Sequence, residues 1–137
     1  MPVVNKRALT DMIAILEMLP EEKFLGIKSE DDEAGFREVI RQYIKPLFLA
    51  LDENSQKICR DSLRYFLVTD CIDFGDIFAE LQDSNSPEPA NCRDFFLWIW
   101  QEVFPGVVLD LGDDSPWERK DEFGVLRNKN MPEGIFE

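Results

Sequence analysis

The sequence predicts an all-α (mainly) fold, an irregular bundle of about five helices with a less regular C-terminal segment. Apolar residues recur every three or four positions over most of the first 105 residues, as they do on one face of a helix. Residues that cap or break helices separate these stretches. The chain has 137 residues, 45% of them hydrophobic, which is enough for one buried core.

The first helix is predicted over about residues 5–19, where Asn5 can cap the N-terminus and Pro20 stops the pattern. The second is predicted to begin at Ser29, because the four acids that follow suit the positive end of a helix dipole. Pro46 should end or kink this helix. The apolar residues 47–51 then indicate a buried continuation.

Three further helices follow. The third is predicted from a cap region at residues 52–55 to about residue 67, and the fourth over residues 73–82. The fifth begins after Asn91, contains the aromatic run 95–100 and ends near Pro105 and Gly106. Because this run covers every helical angle, we interpret it as a buried central helix. A hot spot for a partner, with Trp98 or Trp100 as its anchor, is the alternative.

Towards the C-terminus the chain becomes more polar, and its apolar residues no longer recur with a helical period. We interpret residues 1–111 as the helical domain and residues 112–137 as a polar segment, packed on that domain or partly mobile. A small hairpin around residues 123–126 is the alternative for part of it. Trp117 lies in a polar stretch, so it either anchors the segment to the helical domain or forms an exposed contact.

The charge and the missing histidines narrow the function. The net charge is −13, which argues against binding nucleic acid or an anionic membrane directly. The chain has no histidine, so it can form neither a Ser-His-Asp triad nor a histidine-containing zinc site. We therefore expect no catalytic site, no cofactor and no metal. Glu102, beside an aromatic run, is the nearest candidate for a carboxyl of raised pKa, but we interpret it as a surface or capping residue.

The cysteines and the hydropathy indicate a cytoplasmic protein. Cys59, Cys71 and Cys92 are widely spaced beside apolar residues, and we expect them to be small buried hydrophobes in a reducing compartment. The longest stretches without charge have 7 residues, far short of a membrane span.

The acidic excess is concentrated between residues 70 and 94, which carry seven acids and one base. Five acids there follow steps of 3, 3, 4 and 3, a spacing that places them near one helix face. This acidic stripe consists of Asp70, Asp73, Asp76, Glu80 and Asp83. No Lys or Arg lies among them, so their repulsion should be locally uncompensated. The stripe is either a solvated outer face or a binding surface for a basic partner.

In size, acidity and predicted helical content, the chain resembles bacterial immunity proteins and antitoxins. The resemblance is one of type and composition, without a shared motif. It implies a basic, toxin-like protein partner of the nuclease type, which this chain would block sterically and electrostatically. The binding residues would be those of the acidic stripe and Trp117. Two alternatives stay open: a DNA-mimic inhibitor of nucleic-acid machinery, and an interaction subunit that uses the apolar stripe of residues 9–19.

Overall fold

The computed structural model describes residues 3–81, 84–111, 117–121 and 126, and these are mainly helical, as predicted. Six α-helical segments lie in this part of the chain, of which the second and third are joined without a break. They are α1 (Lys6–Ile13), α2 (Glu33–Val39), α3 (Lys45–Leu49), α4 (Glu53–Thr69), α5 (Phe74–Ala79) and α6 (Cys92–Val103).

The first predicted helix is present but tightens along its length. Asn5 caps α1, and its side-chain oxygen accepts the Arg7 N–H at 2.8 Å. After Ile13 the chain continues as a 3-10 helix, Ala14–Met18, and a second 3-10 turn, Glu21–Phe24, follows Pro20. The apolar side of this region is buried in the core of the protein.

The second helix begins later than predicted, at Glu33. Asp32 rather than Ser29 caps it, because the Asp32 carboxylate accepts both the Lys28 N–H at 2.9 Å and the Gly35 N–H at 3.1 Å. These two backbone bonds, that of Lys28 first, lower the pKa of Asp32. Residues 29–32 therefore form a turn ahead of the helix.

Pro46 distorts this helix without ending it. A π-helical turn, Ile40–Ile44, lies between α2 and α3, and the Lys45 N–H donates to the Ile40 carbonyl five residues back. Pro46 has no N–H, and in a regular α-helix its ring would clash with the Gln42 carbonyl. The wider turn relieves that clash and lets the chain stay helical into α3.

The core is organised around α6, which presents Phe95, Phe96, Ile99 and Trp100 to its neighbours at 2% exposure or less. Phe95 meets Phe36 of α2 edge-on, with ring centroids 5.8 Å apart. Phe74 of α5 packs on Phe96 at 5.2 Å. The prediction of a buried central helix is confirmed for these four residues of the aromatic run, whereas Leu97 and Trp98 are only partly buried.

The described part of the C-terminal segment returns to the N-terminus. Strand β2 (Glu118–Arg119) pairs in parallel with β1 (Val3–Val4), and the Lys120 N–H donates to the Val4 carbonyl at 2.8 Å. Leu126 is buried in the core. Of the predicted hairpin around residues 123–126, all but the last residue lies outside the described residues.

Ser62 anchors the N-terminal strand to α4. It is completely buried, and its Oγ accepts the Asn5 N–H at 2.8 Å. We expect Ser62→Ala to lower the free energy of unfolding by about 1–3 kcal/mol, because it removes the acceptor of a buried donor. Urea denaturation followed by circular dichroism measures this. A stability equal to that of the native chain would show that this bond does not hold the strand.

Candidate partner-binding face

The acidic stripe does not lie on one helix, contrary to the prediction. Asp70 ends α4 in the left-handed region, with φ at 51°. Asp73 begins α5, where its carboxylate accepts the Gly75 N–H at 2.8 Å. Asp76 lies within α5, and Glu80 follows its last residue. Helix α5 is shorter than the predicted 73–82, and Asp83 lies outside the described residues.

A depression of about 360 Å³ forms where the α4–α5 turn faces the start of α6. Asp70 and Asp73 line it on one side, and Cys92 and Arg93 line it on the other. Glu88 reaches the same region, since its Oε1 is 3.5 Å from the Cys92 sulfur. Glu88 belongs to the acidic stretch 70–94 but not to the predicted stripe, because a loop residue has no helical spacing to reveal it.

The charges of the stripe are partly compensated, which corrects a second expectation. Arg93 Nε lies 3.5 Å from Asp70 Oδ1, although the Asp70 side chain is still 63% exposed. Asp73 and Asp76 are exposed and form no salt bridge within the described residues. We define Asp70, Asp73, Asp76 and Glu88 as the acidic face of the protein.

Glu80 belongs to the fold rather than to this face. Its Oε1 accepts from Arg7 Nη1 at 2.9 Å, and its Oε2 accepts from the Thr10 hydroxyl at 2.5 Å. Both partners lie on α1, so Glu80 joins α5 to α1. Arg7 is 73 residues from Glu80 in the chain, so local spacing could not predict that the two side chains pair.

Asp11 lies beside this junction, with its Oδ2 buried and without a hydrogen-bond partner in the described part of the chain. Burial, and then the nearby charge of Glu80, raise the pKa of Asp11 to about 6, although Arg7 acts in the opposite direction. The contact between α1 and α5 thus contains two carboxylates. Both oxygens of Glu80 accept hydrogen bonds, whereas Oδ2 of Asp11 accepts none in the described part of the chain.

Trp117 lies away from the acidic face and packs on the helical body. Its ring centroid is 5.5 Å from that of Tyr65, and the Arg64 guanidinium lies 5.0 Å from the indole centroid. The side chain is half-buried, and its Nε1 has no hydrogen-bond acceptor in the described part of the chain. This geometry matches the first of the two interpretations, an anchor for the C-terminal segment.

Glu102 is not a carboxyl of raised pKa. Its two oxygens accept from Arg41 Nε at 2.6 Å and Arg37 Nη1 at 2.9 Å. The hydrogen bond from Arg41 is the largest cause that lowers the pKa of Glu102; burial opposes it, and the hydrogen bond from Arg37 and the charges of both arginines lower the pKa further. The interpretation of Glu102 as a surface or capping residue did not anticipate these two cations, which come from α2 and the π-helical turn.

The cysteines differ in their surroundings. Cys59 is fully buried, and burial raises the pKa of its thiol, whereas Cys71 is exposed and corrects the expectation that all three are buried. Cys92 is half-buried, and burial together with the carboxylate of Glu88 raises its pKa to about 12. The thiols of Cys59 and Cys92 are therefore not activated as nucleophiles.

Searches of protein-family models, curated proteins and solved structures found no match to this chain. None of the described helices is long and apolar enough to cross a membrane. Among the described residues, no group of three or more acidic or cysteine side chains is placed to hold a metal ion.

Asp11 makes stability depend on pH. An ordinary aspartate has a pKa near 3.8, so the folded state binds this proton more tightly than the unfolded state between about pH 4 and 6. Burying the charge costs stability above pH 6, and that cost is relieved as the pH falls towards 4. We expect Asp11→Asn to be more stable than the native chain near pH 7.5, and this advantage to shrink between about pH 6 and 4. Urea titrations across this range test it, and an advantage independent of pH would contradict it.

Glu80→Ala should destabilise the protein, because it removes the acceptor that joins α5 to α1. We expect a loss of about 1 kcal/mol in the free energy of unfolding, as for a partly exposed charged hydrogen bond. Asp76→Ala is the matched control, since it removes the same charge from α5 but no salt bridge of the described residues. Asp76→Ala should lower the free energy of unfolding by less than Glu80→Ala does, and urea denaturation measures both. Equal losses would mean that the contacts of Glu80 with α1 do not stabilise the fold.

Proposed function

We propose that this protein is a small acidic binding protein that neutralises a basic partner, with the acidic face as its docking surface. The partner that fits the resemblance to immunity proteins and antitoxins is a nuclease-type toxin. The observation that carries the proposal is that Asp73 and Asp76 are exposed side by side without a salt bridge in the described part of the chain. Carboxylates in that state are available to cations from another molecule.

The shape of the acidic face supports this role. The 360 Å³ depression between Asp70 and Asp73 on one side and the start of α6 on the other is large enough for one Lys or Arg side chain. Val68 is 41% exposed and lies two residues before Asp70, so an apolar contact adjoins the charges. A net charge of −13 would speed the approach of a basic partner at low salt.

The alternative of an interaction subunit is less favoured, because it was based on the apolar stripe of residues 9–19. The apolar stripe of the N-terminal helix is packed into the protein's own core, where Leu9, Met12, Ile13 and Leu16 are all at most 3% exposed. These side chains are unavailable to a partner unless the fold opens. The electrostatic proposal needs no such opening, because its residues are already exposed.

The test is a triple substitution that removes charge while preserving local structure. Asn is tolerated in the left-handed region at position 70, and it is a good N-cap at position 73. We expect the tagged Asp70→Asn/Asp73→Asn/Asp76→Asn variant to lose a basic protein that the native chain captures from source-cell lysate. Capture is measured by mass spectrometry at about 50 mM salt, and about 500 mM salt should release the protein from the native chain.

The control is Glu21→Gln/Glu22→Gln/Glu53→Gln, which removes three exposed charges outside the acidic face. It should retain the captured protein, because the same total charge is lost elsewhere. A nuclease assay of that protein separates a toxin from nucleic-acid machinery, the target that a DNA mimic would have. If native and Asn-substituted chains capture the same proteins, the acidic face is not the docking surface.

A further inference from the structure

A second surface, on the other end of α4, has the opposite chemistry. A groove of about 590 Å³ runs between α4 and the ends of α3 and α6. Lys57, Arg60 and Arg64 line it from successive turns of α4, and we call this the basic groove. Its apolar floor is formed by Phe48, Trp100 and Phe104.

The floor is rigid. The Phe104 ring lies 5.1 Å from Phe48 and 4.8 Å from Trp100, measured between centroids. The Trp100 indole N–H donates to the Val107 carbonyl at 3.1 Å, which holds the chain after α6 against the groove. Val107 itself is 49% exposed at the edge of the groove and offers an apolar contact.

The charge of the groove is unusual for a chain of net charge −13. Lys57 and Arg60 are exposed, and Lys57 forms no salt bridge within the described residues. Asp61 offsets part of the positive charge, since its Oδ1 lies 3.6 Å from Arg60 Nε and 3.3 Å from Arg64 Nη2. Its side chain is only 3% exposed, so it faces inward. Among the described residues that line the groove, Glu53 in the first turn of α4 is the one acid.

We infer that the basic groove binds an extended, acidic peptide segment of a partner protein, with an apolar side chain placed against the Phe104 and Val107 edge. From Glu53 to Arg64, α4 rises about 16 Å, which matches about five residues of extended chain. Alternate residues of such a segment point the same way about 7 Å apart, whereas successive turns of α4 are about 5.4 Å apart, a difference that long Lys and Arg side chains can span. A nucleic acid is disfavoured because its phosphates continue beyond the groove on to the acidic remainder of the protein, whereas a peptide segment of about five residues places its charges within the groove.

The inference concerns a surface separate from the acidic face and goes beyond the proposed function. Substituting the groove should therefore leave capture of the basic partner unchanged, and the Asn substitutions of the acidic face should leave peptide binding unchanged. A failure of one binding activity can thus be told apart from a failure of the other.

The test is fluorescence anisotropy with a labelled synthetic peptide, Glu-Phe-Glu-Val-Glu, at about 50 mM salt. We expect Lys57→Gln/Arg60→Gln to weaken binding by about 5- to 10-fold, as for two exposed charge contacts. Lys23→Gln/Lys28→Gln removes two exposed charges elsewhere and should change binding by less than about 2-fold. Val107→Ser should also weaken binding, and because it changes no charge it tests the groove through its apolar contact.

Four results would overturn the inference. The native chain could fail to bind the acidic peptide, or bind Gln-Phe-Gln-Val-Gln equally well. Binding could be equally tight in the groove variant and in the native chain. A single-stranded RNA oligonucleotide could bind more tightly than the peptide and compete with it, which would assign the groove to another class of macromolecule.

Discussion

The aromatic packing of α6 is the contact on which the other elements depend. Phe95 and Phe96 touch side chains from α2 and α5 at centroid distances of 5.2–6.0 Å. Because Phe74 and Phe78 hold α5 against this helix, the short α5 keeps a defined position despite its six residues. The exposed carboxylates at its start are thereby presented on a fixed support, which a docking surface needs.

The acids of this protein divide into two groups by what they contact. Glu80 and Glu102 reach cations on other helices and join elements that are far apart in the chain. Asp70, Asp73 and Asp76 lie at a turn where Arg93 is the one cation within ion-pair distance in the described residues. The first group stabilises the fold, whereas the second leaves negative charge exposed to solvent. The functional proposal depends on this separation.

Much of the fold could be predicted from the sequence, because it depends on local signals. Apolar spacing located the helices, and the caps at Asn5 and Asn91 were found from residue type. The acidic stripe was misplaced because its spacing is the same for one helix as for two helices joined by the four residues 70–73. The partners of Glu80 and Glu102, and the parallel pairing of β1 with β2, involve residues more than 60 positions apart. No local pattern encodes such contacts.

The most direct test of the account is the unfolding free energy of the Asp70→Asn/Asp73→Asn/Asp76→Asn chain, measured by urea denaturation at low salt. If these carboxylates serve binding and not the fold, the variant should be within about 0.5 kcal/mol of the native chain, or more stable through relief of repulsion. A loss of more than about 1 kcal/mol would mean that the charges hold the turn together. The acidic face would then be a structural feature of the α4–α5 junction, and the case for a docking surface would fail.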